Sequence, residues 1–123
     1  MNTQAQDLAI AQAAVNRHFE IWNDDAGETR AGKFAAAYTA DIFVADYAHI
    51  AAGYADVNEF IENLRAKNKG FFFTPDPVAW NNGIGRVTWG YGPAEAPGLI
   101  RGEDIFTMKD GRIASLRVFI DRK

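Results

Sequence analysis

Apolar residues recur along the first part of the chain at the spacing of a helix. Leu8, Ala11, Val15, Phe19 and Trp22 follow one another at steps of three and four, which predicts an amphipathic helix over about 3–23 with one buried stripe. The run Asn23-Asp24-Asp25-Ala26-Gly27 ends it, with Gly27 expected as a left-handed cap. His18 falls between Val15 and Trp22 on the helical wheel, at the edge of the stripe. Thr29 is expected to cap a shorter second helix reaching about Tyr38, with Phe34 and Tyr38 sharing a face. A strand over 42–47 follows, with Ile42, Val44 and Asp46 on one face, and then a loop over 48–55 carrying His49 and Tyr54 around Gly53. Asp56 and Glu59 give a variant of the capping-box signal, and Val57, Phe60, Ile61 and Leu64 mark the buried side of a third helix ending near Asn68.

After Gly70 the period changes from helical to alternating. Residues 71–74, followed by Pro75 and Pro77, read as an edge strand or a bent strand before Val78-Ala79-Trp80. Asn82-Gly83 is a hairpin turn signal, and in the next run Val87, Trp89 and Tyr91 alternate with Arg86 and Thr88. Two further strands are joined by Lys109-Asp110-Gly111. In the first of them Asp104 shares its face with Phe106 and Met108, and a carboxylate on an apolar face is a candidate for chemistry. The expected order is α-α-β-α-β-β-β-β, with helices segregated from an antiparallel sheet, an α+β architecture.

Composition narrows the function classes. The 123 residues fit one domain, 1–123, and include three Trp, four Tyr and nine Phe, enough for a core that encloses a cavity. A net charge of −3 with scattered Lys and Arg gives no basic stripe, so nucleic acid is not an expected partner. The absence of cysteine excludes disulfides, thiolate nucleophiles and Cys-ligated metal, in keeping with a reducing compartment. The N-terminus lacks the pattern of a signal peptide and no segment approaches a membrane span, so a cytoplasmic protein with no membrane partner is expected. The two His and the acids show no HxxxH, HxH or His-x-x-Glu spacing, and GxSxG, P-loop and GxGxxG motifs are absent, so neither a metal nor a cofactor is expected.

Three segments carry a resemblance: RHFEIWN (17–23), AAYTADIFVADY (36–47) and GEDIFTMKDGRIASLRVFID (102–121). They resemble the SnoaL-like families of the nuclear-transport-factor-2-like (NTF2-like, or cystatin-like) superfamily, in which a curved sheet wraps a long N-terminal helix into a cone with a pocket. The same cone hosts isomerases, cyclases, dehydratases, epoxide hydrolases and non-catalytic binders. The resemblance to ketosteroid isomerases places the first-helix tyrosine of that group at His18, its base at Asp46 and its protonated acid at Asp104. Tyr47 stands where a proline usually follows the base, and the closing turn is one residue shorter. Polyketide cyclases of the group use an acid with a nearby His, which this chain also supplies.

The expected site therefore comprises Asp46, Asp104 and His18 as catalytic residues. Trp22, Tyr38, Tyr47, His49, Tyr54, Trp89, Phe106, Leu116, Val118 and Ile120 are expected to line a pocket for a small hydrophobic molecule. The leading expectation is cofactor-free proton transfer next to a carbonyl. The alternatives are a non-catalytic binding or dimerisation module and an epoxide hydrolase with an Asp-Arg-Asp set drawing on Arg86 or Arg101. Ile105, Thr107, Ile113, Ser115, Arg117 and Phe119 are expected on an outer sheet face suited to a homodimer.

Overall fold

The computed structural model describes residues 2–121. The first helix, α1 (Gln4–Trp22), opens with a reciprocal capping box: Thr3 Oγ1 accepts from the Gln6 backbone N–H at 3.1 Å, and Gln6 Oε1 accepts from the Thr3 N–H at 2.7 Å. Its C-terminus differs from expectation, because Asn23 stays right-handed (φ −92°) and Gly27 starts the next helix. Asn23 instead clamps a strand, donating to the Phe73 carbonyl at 3.0 Å and accepting from the Phe73 N–H at 2.7 Å.

The expected second helix is two short ones, α2 (Gly27–Ala31) and α3 (Phe34–Ala37), and Thr29 lies inside α2 rather than capping it. The break is held by the fully buried Arg30, whose guanidinium donates to the Asp24 carbonyl, to Asn58 and to Glu62. Tyr38 consequently begins β1 (Tyr38–Ala45) instead of ending a helix. Part of the expected loop is a strand, β2 (Ile50–Ala52), paired with β1. Gly53, at φ +84°, then turns the chain into α4 (Gly53–Lys67), where Asp56 reaches back to the Ala52 N–H at 3.3 Å.

The remaining strands are β3 (Phe72–Pro75), β4 (Ala79–Asn81), β5 (Ile84–Gly92), β6 (Ile100–Lys109) and β7 (Arg112–Ile120). Sheet order is β2-β1-β7-β6-β5-β3, with β4 also on β5. The sheet is mixed, not wholly antiparallel: β1 runs parallel to β7, a pairing allowed by the long stretch of chain between them. Both expected hairpin turns form, with positive φ at Asn82 and Gly83 and again at Asp110 and Gly111.

One register shift changes a face. Thr107 pairs with Ser115 and Met108 with Ile113, so Ala114 is an extra residue and Ile113 turns inward, fully buried, rather than onto the outer face. The stripe of α1 packs on the concave side of the sheet, where Val15, Phe19 and Trp22 join Ile42, Val44, Val87, Trp89, Phe106 and Leu116 in one core. Among the described residues no helix is long and apolar enough to cross a membrane.

Candidate active site

A chain of polar groups crosses this apolar core. His18 and Trp22 stand one turn apart on α1, so both rings reach the first residue of β1. Trp22 Nε1 donates to Tyr38 Oη at 3.0 Å, and Tyr38 Oη lies 2.6 Å from His18 Nδ1. The other ring nitrogen, His18 Nε2, faces Asp104 Oδ2 at 3.6 Å. Asp104 Oδ1 accepts from Trp89 Nε1 at 3.0 Å. Asp104 sits opposite Val87 on β5, and Trp89, two residues on, shares the concave face, which brings its indole to the carboxylate. His18 and Asp104 are each 3% exposed, so their partners here take the place of water.

Tyr38 Oη receives the Trp22 N–H and keeps its own proton, because burial pushes its ionisation far above the usual tyrosine range. The Trp22 hydrogen bond opposes that shift, and the Asp104 charge adds to it. Where the Tyr38 hydroxyl donates to His18 Nδ1, the imidazole hydrogen is on Nε2. Asp104 thus accepts one hydrogen bond, from Trp89. At 3.6 Å the Nε2–H is too far from Oδ2 for a direct hydrogen bond and remains available to a third oxygen.

A cavity of about 390 Å³ adjoins this chain of groups. His18, Asp46 and Asp104 all line it, together with Trp22, Trp89, Leu116, Val118 and Ile120 from the expected set. Asp46 follows the end of β1, where its Oδ1 accepts from the Ala48 and His49 N–H groups at 2.8 and 2.7 Å and lies 3.3 Å from His49 Nδ1. Its Oδ2 has no hydrogen-bond partner among the described residues.

Five expected lining residues lie elsewhere. Tyr38 is buried behind His18, and Tyr54 packs on Phe34 with its hydroxyl on the Tyr38 carbonyl. Phe106 packs under Trp80 and Gly85 in the core. Tyr47 is exposed and packs edge-on against Phe119. His49 borders an adjoining open groove with Asp56 and Glu59.

The walls that sequence reasoning missed are Phe19, Phe60, Leu64, Lys67, Asn68, Phe73, Tyr91 and Ile100. Phe19, Phe60 and Leu64 carried the helical-stripe signal for burial, and Tyr91 the alternation signal, but neither signal separates core from cavity wall. Arg86 and Arg101 are exposed and outside the lining, with Arg101 3.4 Å from Asp76, so no Asp-Arg-Asp set forms in this cavity.

No family model and no curated protein matches the chain. Solved structures do. A candidate isomerase of the SnoaL-like family from Agrobacterium tumefaciens superposes with a TM-score of 0.82 at 20% identity, covering 89% of this chain and 96% of that one. A candidate polyketide cyclase from Sinorhizobium meliloti gives 0.69 at 19% identity over 86% and 93%. An NTF2-like protein of unknown function from Exiguobacterium gives 0.72 at 15% over 89% and 99%. The chain has the NTF2-like fold; at these identities the likeness speaks for the fold alone.

Proposed function

We propose that this chain is a SnoaL-like enzyme that moves a proton next to the carbonyl of a small, largely apolar compound, without a cofactor. The observation that carries the reading is the hydrogen-bonded series Trp22–Tyr38–His18, which ends with His18 at the wall of a cavity that also contains Asp46. Asp46 takes a proton from the carbon beside the carbonyl, and the electron pair moves onto the carbonyl oxygen. The His18 Nε2–H stabilises that oxygen, and the Asp104 carboxylate behind it favours the partial positive charge that His18 acquires. Returning the proton from Asp46 to the conjugated carbon completes an isomerisation. Attack of the enolate on a second carbonyl of the same molecule gives an aldol cyclisation, the alkoxide so formed taking the proton back from Asp46.

Supporting this division of labour, Asp46 holds one oxygen in two backbone hydrogen bonds and keeps the other unused, whereas Asp104 is buried against the Trp89 indole beside His18. Asp46→Asn is the direct test, since the Asn carbonyl still accepts from Ala48 and His49 and the loop survives. Assayed on a panel of β,γ-unsaturated ketones and diketones, Asp46→Asn is expected to lose about 10²–10⁴ in kcat. Asp104→Asn is expected to lose about 10²–10³. Full turnover in both variants, with unchanged circular dichroism, refutes the scheme. Ligand binding without turnover in the parent protein favours a binding module in the same cavity.

A further inference from the structure

The cavity is continuous with a second space that this chemistry does not use. A groove of about 520 Å³ runs between β2 and α4, and Asp46, Phe60, Leu64 and Lys67 belong to the walls of both. Ile50 and Ala51 from β2, with Glu59 and Asn63 from α4, line the groove alone. Its position follows from the path of the chain. Ile50 pairs with Ala45 at the end of β1, just before Asp46, and Gly53 then turns the chain so that α4 returns beside both strands. The groove follows α4 from Asp56 to Lys67, about 16 Å of helix at a rise of about 1.5 Å per residue.

Apolar surface runs from one space into the other. Phe60 and Leu64 stand one turn apart on α4. The Phe60 ring meets Trp22 edge-on at 5.5 Å on the cavity side and the His49 ring at 5.6 Å on the groove side. Ile50, 72% exposed, continues that surface along the groove. Asp56, Glu59 and His49 are exposed and keep the edges polar. We infer that the ligand is longer than the cavity: a carbonyl compound whose head fills the cavity and whose unbranched alkyl chain leaves past Asp46 and lies over Phe60, Leu64 and Ile50. Such a chain also replaces water on the open side of Asp46, whose side chain is 22% exposed. The inference rests on the proposed function in placing the reacting carbon at Asp46.

A homologous series reads the path of the chain without turnover. 4-Ethylphenol, 4-butylphenol and 4-hexylphenol share one head, whose oxygen resembles that of an enol, and their affinities are compared by isothermal titration calorimetry. A methylene half-covered in an open groove is expected to gain about twofold in affinity, so the parent protein should bind the hexyl compound about 16-fold more tightly than the ethyl one. Ile50→Asn changes an exposed side chain of the groove alone. It is expected to leave 4-ethylphenol affinity unchanged and to cut the gain from ethyl to hexyl to about fourfold. A parent gain of about fourfold or less, a gain in Ile50→Asn equal to that of the parent, or no binding across the series overturns the inference. Loss of the chain-length gain leaves the role of Asp46 untouched, and an inert Asp46 leaves the gain standing.

Discussion

Tyr38→Phe and Tyr91→Phe remove the same atom from two buried tyrosines, yet the structure assigns them opposite effects. Tyr38 Oη serves both Trp22 Nε1 and His18 Nδ1, at 3.0 and 2.6 Å, in a core that leaves the Tyr38 side chain no exposure. Its removal strands two buried polar groups, each costing about 1–3 kcal/mol, while the ring continues to pack against Phe34. The sum is on the order of 3 kcal/mol. With an unfolding entropy of about 2.1 cal/mol/K per residue, that is a fall in Tm of about 12 °C for a chain of this length. Tyr91 Oη has no partner to strand, so Tyr91→Phe is expected to leave Tm unchanged or raise it by a few degrees. Thermal and urea unfolding followed by circular dichroism measure both. A Tyr38→Phe variant within about 1 kcal/mol of the parent refutes the hydrogen-bond chain as drawn. A Tyr91→Phe variant less stable by a similar amount refutes the claim that its hydroxyl is idle in the empty protein.

Three further outcomes follow from the same geometry. A Cβ added at Gly102 meets Trp89 Cη2 and the Phe119 carbonyl, each at 2.6 Å, so Gly102→Ala must displace the indole that holds Asp104. It is expected to cost about 1–3 kcal/mol and to lower turnover, checked by urea unfolding and steady-state kinetics. Tyr38 and Tyr91 both ionise above their ordinary value in the folded state, Tyr38 chiefly through burial and Tyr91 likewise. Their contribution to stability is complete below the unfolded value near pH ~10 and is lost as pH rises above it, by about 1.4 kcal/mol per pH unit for each. Absorbance at 295 nm should show their ionisation coinciding with loss of circular dichroism. We also propose that the convex sheet face pairs two copies through Phe43, Ile105, Arg117 and Phe119, where Arg117 already lies 4.9 Å over the Phe43 ring. Light scattering at micromolar concentration should give twice the chain mass, and Phe119→Glu should halve it.

How far the sequence reaches depends on how local each signal is. The stripe of α1 and the alternation of β6 and β7 are decided by neighbours within one turn or one pleat, and they correctly put His18 and Asp104 on the buried side of their elements. Tyr38 shows the limit: a helical spacing with Phe34 pointed one way, but a buried Arg30 broke the helix and gave Tyr38 to a strand. Ile113 shows another, because one extra residue at Ala114 reverses a face and no feature of alternation announces it. The walls at Lys67, Asn68 and Tyr91 are set by where the end of α4 meets the far end of β5, a contact between elements distant in sequence. Tyr47, expected to point inward after Asp46, is turned out where the Asp46 side chain caps the loop beyond β1.

The two acids were alike in sequence, each in an apolar strand context, and what separates them is acceptor capacity. Asp104 Oδ1 accepts from Trp89 Nε1 at 3.0 Å and its Oδ2 lies 3.6 Å from His18 Nε2, both buried in the core. In the proposed scheme Asp104 is the group that orients His18. Asp46 spends one oxygen on two backbone N–H groups, which fixes its carboxylate rigidly, and keeps the other. A fixed carboxylate with one unused oxygen at a cavity wall is what a general base requires, since holding it in place lowers the entropy cost of reaching the substrate proton. The proposed roles of base and orienting charge rest on these surroundings rather than on position in the chain. The reverse assignment would make the buried Asp104 the base. A pH–rate profile with Asp104→Asn distinguishes the two assignments. An orienting charge lowers the plateau of the profile while its acidic limb, set by Asp46, remains. If Asp104 is the base, the acidic limb disappears.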